Sequence, residues 1–208
     1  MPQGPGRVLI SREEIAVRVG ELGHAITREH AGHVPLLVGV LKGAAVFMAD
    51  LIRAIPAPIA MDFMGVSSYG PGTRASGAVR LTADLSVSIE GRDVVIVEDI
   101  VDSGRTLDYL RRNLETRHPR SLRVRALLDK VERRQVDVAL DYVGFAIPDR
   151  FVVGYGFDLG GLYRGLPDIH VLEASPAADK GPFASLAPSA AGSWPFELRG
   201  GAPRRGLR

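Results

Sequence analysis

Cysteine is absent from the 208 residues, which excludes a disulfide framework and any thiolate-held metal. No run is apolar for long enough to span a bilayer. Met1–Arg7 is rich in Gly and Pro and lacks the apolar core of a secretory signal, so a cytoplasmic location is expected. A strong charge of one sign is also missing. The formal net charge is +2, but five of the bases (Lys180, Arg199, Arg204, Arg205, Arg208) and only two acids (Asp179, Glu197) follow Glu173, leaving residues 1–173 with one acid in excess. A nucleic-acid binder would carry a basic face on the domain itself, so nucleic acid is not an expected partner. The G-x-x-x-x-G-K-[ST] loop of P-loop nucleotide binders does not occur, and no internal repeat is visible.

What is present suits one α/β domain. Apolar residues make up 46% of the chain and charged residues 24%, as in ordinary globular proteins, and the length allows a sizeable core. The composition changes after Glu173. Of residues 174–208, 22 are Ala, Ser, Pro or Gly, too little apolar surface to order a segment. The expected organisation is a folded domain over 1–173 and a disordered basic tail over 174–208.

The chain is organised around Val94–Thr106, V-V-I-V-E-D-I-V-D-S-G-R-T. The apolar run Val94–Val97 predicts a strand buried on both faces of a parallel sheet. Glu98, Asp99 and Asp102 follow at once, then the small turn Ser103-Gly104-Arg105-Thr106 and a helical pattern with Leu107, Leu110 and Leu114 on one side. In open α/β sheets the ligand crevice lies beyond the carboxyl ends of the strands. A turn of small residues opening a helix offers backbone N–H groups and a positive dipole end to a phosphate. Acids beside an anion cradle call for a mediator, either Mg²⁺ or ribose hydroxyls, and Mg²⁺ favours one or two carboxylates together with substrate phosphates. In the alternative reading Asp102 or Ser103 merely caps the helix.

Ser11-Arg12-Glu13-Glu14 is a capping box, and Ile15, Val19, Leu22 and Ile26 behind it predict an amphipathic helix over 12–29. Leu36–Leu41 reads as a buried strand with Lys42-Gly43 at its end, and Ala44–Ile52 as a helix. Pro58–Met64 reads as the next strand. The polar stretch from Ser67 to Gly77 is expected to be a mobile lid, and Val79–Leu81 a short returning strand. Ser121–Leu128 reads as a strand that delivers Asp129-Lys130. Val138–Phe145, Phe151–Val153 and Ile169–Leu172 are further short strands. A parallel sheet would gather Lys42, Asp102, Lys130 and Asp158 along one edge.

The central string closely resembles the 5-phosphoribosyl-1-pyrophosphate (PRPP) motif of type I phosphoribosyltransferases. Together, Leu41-Lys42-Gly43, Ser67-Ser68-Tyr69-Gly70, Val97–Leu107, Leu127–Arg134 and Val143–Tyr155 resemble the bacterial hypoxanthine-guanine phosphoribosyltransferase family over residues 8–173. The resemblance implies a mainly parallel, twisted sheet flanked by helices, with a small hood from the N- and C-terminal segments. It implies pyrophosphate contacts from Lys42, Gly43 and Arg164, with a cis peptide at Leu41-Lys42, and lid residues Ser68 and Tyr69. Glu98 and Asp99 would face the ribose hydroxyls and Mg²⁺, and Asp158 would hold a second Mg²⁺. Asp102 would be the general base, and Ser103, Gly104, Arg105 and Thr106 would hold the 5′-phosphate. Lys130 would reach the purine O6, Phe151 would stack on the base and the Val152 backbone would read its edge.

The implied reaction transfers a phosphoribosyl group from PRPP to N9 of hypoxanthine or guanine, in a dimer or tetramer. A xanthine-preferring enzyme and a PRPP-sensing, nucleic-acid-binding regulator of the same fold stand as alternatives. Two features depart from the family pattern: Val131 where relatives usually carry Pro, and the basic tail.

Overall fold

The computed structural model describes residues 6–68 and 79–172. Most of the expected lid, Tyr69 included, and the tail lie outside the described residues. The element order is β1 (Val8–Ile10), α1 (Arg12–Glu29), β2 (Leu36–Leu41), α2 (Ala44–Ala54), β3 (Ala60–Ser68), β4 (Val79–Ala83), β5 (Asp93–Val101), α3 (Arg105–Glu115), β6 (Ser121–Asp129), β7 (Tyr142–Ala146), β8 (Val152–Val153) and β9 (Ile169–Val171). Six strands form the central sheet in the order β4-β3-β2-β5-β6-β7. All its neighbours run parallel except β3 and β4. The remaining three make an antiparallel sheet, β1-β9-β8, from the two ends of the domain. This is the expected hood.

The helices cover both faces, and the strands divide their side chains accordingly. On β5, Val95 and Val97 pack toward α1 and α2, where Ile15, Val19, Leu22, Ile26, Phe47, Met48 and Leu51 lie. Val94 and Ile96 pack on the other face with Leu107, Leu110 and Leu114 of α3. That two-residue alternation is why the run is apolar throughout. Burial of a leucine contributes about 1.5–3 kcal/mol, so its three leucines hold α3 in place although its N-terminus has no side-chain cap. α1 starts on the expected capping box, with Ser11 and Glu14 bonded reciprocally.

Several boundaries differ from the sequence reading, most by one or two residues and those of three strands by more. β5 runs on through Glu98 and Asp99 to Val101, so the acid pair lies within the strand and only Asp102 lies beyond it. β3 begins at Ala60 and extends to Ser68 because its end pairs with β4. β7 begins at Tyr142 and not at Val138. Ahead of it the Asp141 N–H still reaches the Val124 carbonyl at 3.2 Å, but the Val124 N–H is taken by the Asp141 carboxylate at 2.7 Å and the Val138 carbonyl by the Arg134 guanidinium at 3.0 Å.

Candidate active site

The rung Val101–Asp129–Ala146 aligns the ends of β5, β6 and β7. One residue further on stand Asp102, Lys130 and Ile147. The Lys130 N–H donates to the Val101 carbonyl at 2.9 Å and the Ile147 N–H to the Asp129 carbonyl at 2.9 Å. The three turns are thus tied to one another, and their side chains meet over the carboxyl edge of the sheet. There Asp102 and Lys130 line a cleft of about 350 Å³ with Val40, Leu41, Gly43, Val66, Glu98, Asp99, Ile100, Thr106, Phe151, Val152, Phe157, Asp158 and Arg164.

The acid pair forms one wall. Glu98 is buried and its Oε2 has no hydrogen-bond partner among the described residues. Burial raises the carboxyls of Glu98 and Asp99 above the ordinary range; for Glu98 the neighbouring Asp99 charge adds to this, and for Asp99 the Ile100 N–H, at 2.9 Å, opposes it. A buried acid beside a half-buried one, both with raised proton affinity, and an orphaned oxygen need a cation or donor hydroxyls from outside. Among the described residues no three His, Cys, Asp or Glu side chains converge into a metal cage. A hard cation that takes few protein carboxylates and completes its shell from substrate oxygens fits this donor set.

Gly43 packs against the Asp99 carboxylate, and a β-carbon there would fall 1.5 Å from Oδ2. Gly156, at φ +100°, approaches Gly43 in turn, where a β-carbon would come within 2.2 Å of the Gly43 carbonyl oxygen. These contacts seat the hood loop on the β2–α2 turn. The Leu41–Lys42 peptide in that turn is cis, as the resemblance implies. Lys42 itself is exposed and does not line the cleft. Asp158 also departs from expectation: it ends no strand of the parallel sheet and instead lies in the hood loop after β8. Its carboxylate accepts from the Gly161 N–H at 2.6 Å and from Arg164, which also donates to the Gly156 carbonyl.

The turn after β5 holds Asp102, Ser103, Gly104, Arg105 and Thr106. Gly104 takes the left-handed conformation, φ +80°, and a β-carbon there would lie 2.7 Å from the Val136 carbonyl oxygen. The N-cap residue Gly104 has no side chain to cap α3; Ser103 Oγ accepts from the Arg105 N–H at 3.5 Å, as part of the capping alternative requires. Asp102 and Thr106 line the cleft; Ser103, Gly104 and Arg105 connect them. The cleft is also lined by Lys130, which is buried, by Phe151, whose ring is exposed, and by Val152, buried in β8.

Two charged residues that sequence reasoning missed, Arg133 and Asp149, pair with Asp102 and Lys130. Arg133 Nε donates to Asp102 Oδ1 at 2.8 Å, and its terminal nitrogen lies 3.3 Å from Asp149 Oδ2. Lys130 Nζ lies 3.6 Å from Asp102 Oδ2 and 3.7 Å from Asp149 Oδ1. The signal was the spacing of Lys130 and Arg133. Val131–Arg133 is a single 3-10 turn, in which residues three apart eclipse.

A parallel sheet that carries an acid pair, a helix-opening turn and a buried lysine at one edge matches the profile of the phosphoribosyl transferase domain over residues 11–159. The chain belongs to that family, and its fold is the type I phosphoribosyltransferase fold. Within the family it is 52% identical to the hypoxanthine-guanine phosphoribosyltransferase of Bacillus subtilis over 167 residues, covering 80% of this chain and 93% of that protein. It is 50% identical over the same length to the bifunctional protein TilS/HprT of Listeria monocytogenes, of which it spans 26%. Among solved structures it superposes on a hypoxanthine-guanine phosphoribosyltransferase from Bacillus anthracis with a TM-score of 0.77 and 45% identity, covering 81% of this chain and 99% of that one.

Proposed function

We propose that this chain transfers the phosphoribosyl group of PRPP to N9 of hypoxanthine or guanine, releasing pyrophosphate and giving IMP or GMP. The observation that carries the reading is the company the cleft keeps: its lining joins the acid pair Glu98–Asp99, Asp102, and Lys130 with Phe151 and Val152. Donation from the Lys130 ammonium suits a 6-oxo acceptor and not a 6-amino group. Phe151 offers a face for the base, and the Val152 backbone its hydrogen-bonding edge. Glu98 and Asp99 accept from the ribose hydroxyls. The turn 103–106 takes the 5′-phosphate on the N–H groups at the start of α3. The Gly43 backbone, Lys42 and Arg164 take the pyrophosphate.

In the reaction N9 bonds to the anomeric carbon as the bond to pyrophosphate breaks, and Asp102 accepts the proton released at N7. Positive charge builds on the ribose in the transition state and negative charge on the leaving group, where Lys42 and Arg164 act. Glu98, Asp99 and Asp158 would hold Mg²⁺ with the substrate, and that ion supplies charge neutralisation at the pyrophosphate. Ser68 and Tyr69 belong in this reading to a lid that excludes water. Among the described residues no helix is long and apolar enough to cross a membrane, in keeping with a cytoplasmic enzyme, and we assign it a homo-oligomeric state. Incubation with PRPP, Mg²⁺ and each purine in turn, followed by absorbance, tests the proposal. Formation of IMP or GMP is expected; no nucleotide from either base would overturn it.

A further inference from the structure

Asp102 and Lys130 do different jobs in the proposed reaction, yet they carry opposite charges and stand 3.6 Å apart. Left to themselves they would close into a direct ion pair. The carboxylate would lose the oxygen that must take a proton, and the ammonium would lose its reach toward the base. At 3.6 and 3.7 Å, Lys130 Nζ is close to both Asp102 and Asp149 but hydrogen-bonded to neither. Arg133 makes the bonds instead. Its guanidinium spans the two acids, donating through Nε to Asp102 Oδ1 at 2.8 Å and through a terminal nitrogen to Asp149 Oδ2 at 3.3 Å. Each acid thus has one oxygen on Arg133 and the other turned to Lys130. The acids come from different turns, after β5 and after β7, and both cations come from the single turn after β6.

We infer that Arg133 is a positioning residue for the transfer. It tethers Oδ1 of Asp102 so that Oδ2 remains free for the purine proton, and by satisfying both acids it keeps Lys130 available to the 6-oxo group. A rigid planar fork with several donors suits this bridge; a lysine is a point charge on a flexible stem and serves one acid at a time. Half of the Arg133 side chain is in solvent, 48% exposed, so its replacement leaves the core intact.

The inference rests on the proposed transfer to a 6-oxopurine, and the two are separable. Wild-type protein, Arg133→Ala and Arg133→Lys are assayed with PRPP against hypoxanthine and guanine, and each is melted. The expected result for Arg133→Ala is a fall of roughly 10²-fold in kcat/KM for the purine, the scale of a small misplacement of reacting groups, with the KM for PRPP and the melting temperature unchanged. Arg133→Lys should recover part of the loss. An active wild type whose Arg133→Ala variant keeps its purine kinetics overturns the role of Arg133 alone. So does a loss shared by the KM for PRPP and the melting temperature, which would mark a merely structural residue. A wild type inactive on both purines sinks the proposed function and this inference with it.

Discussion

The α-carbon of Gly43 lies against the Asp99 carboxylate with no room for a side chain: a β-carbon would fall 1.5 Å from Oδ2. The strand that carries the acids and the turn after β2 therefore fix each other's position. Gly43→Ala has to displace the Asp99 carboxylate or the turn. Displacement on that scale costs on the order of 10²-fold in rate. We expect kcat/KM for PRPP to fall by about that factor, with a smaller effect on the KM for the purine. Steady-state kinetics with each substrate varied in turn checks this.

Asp102→Asn keeps the shape of the side chain and removes its ability to accept a proton. General base catalysis contributes ~10²–10⁴-fold, so kcat should drop by that range. The affinity for PRPP, measured by calorimetry, should survive, because the groups proposed to hold it are Glu98, Asp99, the 103–106 turn, Lys42, Gly43 and Arg164. A variant that binds PRPP poorly and turns over normally would reverse the assignment.

Lys130→Ala should weaken purine use strongly and leave PRPP binding intact. The same logic bears on the wild type. A site built to hydrogen-bond one group rejects an analogue lacking it by roughly 10⁴-fold or more, so adenine turnover should be negligible beside that of hypoxanthine and guanine. Competition assays with mixed purines read the ratio directly.

The N-terminal end of β5 supplies a stability test away from the cleft. Asp93 is buried, and the Arg120 guanidinium, with help from the Ser121 hydroxyl at 2.7 Å, holds its carboxyl well below its ordinary value of 3.8. A folded value below the unfolded one means that the contribution is complete above about pH 4 and is lost as the pH falls further. Arg120→Ala removes a principal partner of a buried acceptor, a cost of about 1–3 kcal/mol. The melting temperature of the variant should therefore lie below that of the wild type at pH 7, and the two should converge in acid.

The central strand, the capping box and the apolar stripes of all three helices could be read from the chain because local pattern determines them. Val94–Val97 is apolar at every position since both faces are covered, and Leu107, Leu110 and Leu114 recur at helical spacing since only one face of α3 is. The candidate site was legible where the sheet order alone gathers residues, at Asp102 and Lys130. It was not legible where tertiary packing decides. Asp158 is named from the sequence but placed wrongly at the edge of the parallel sheet: it reaches the cleft from the hood loop, which is seated by the approach of Gly156 to Gly43, residues far apart in the chain. Beyond the spacing of Arg133 from Lys130, Arg133 and Asp149 carry no local pattern that marks them, and only the meeting of three turns pairs them. The start of β7 was misjudged because Asp141 intercepts the Val124 N–H with its side chain.

The shared rung Val101–Asp129–Ala146 also sets what can be changed in this protein by design. A shift of one residue in a strand sends every side chain to the opposite face. Deleting or inserting a single residue within β5 or β6 would swing Asp102 or Lys130 away from the cleft, however conservative the edit looks. The chain past Arg134 is no freer: the Gln135 and Val136 N–H groups donate to the Ser103 carbonyl at 3.0 and 3.2 Å, and Val138 is buried in the core. The strands should be treated as a ruler with no spare divisions.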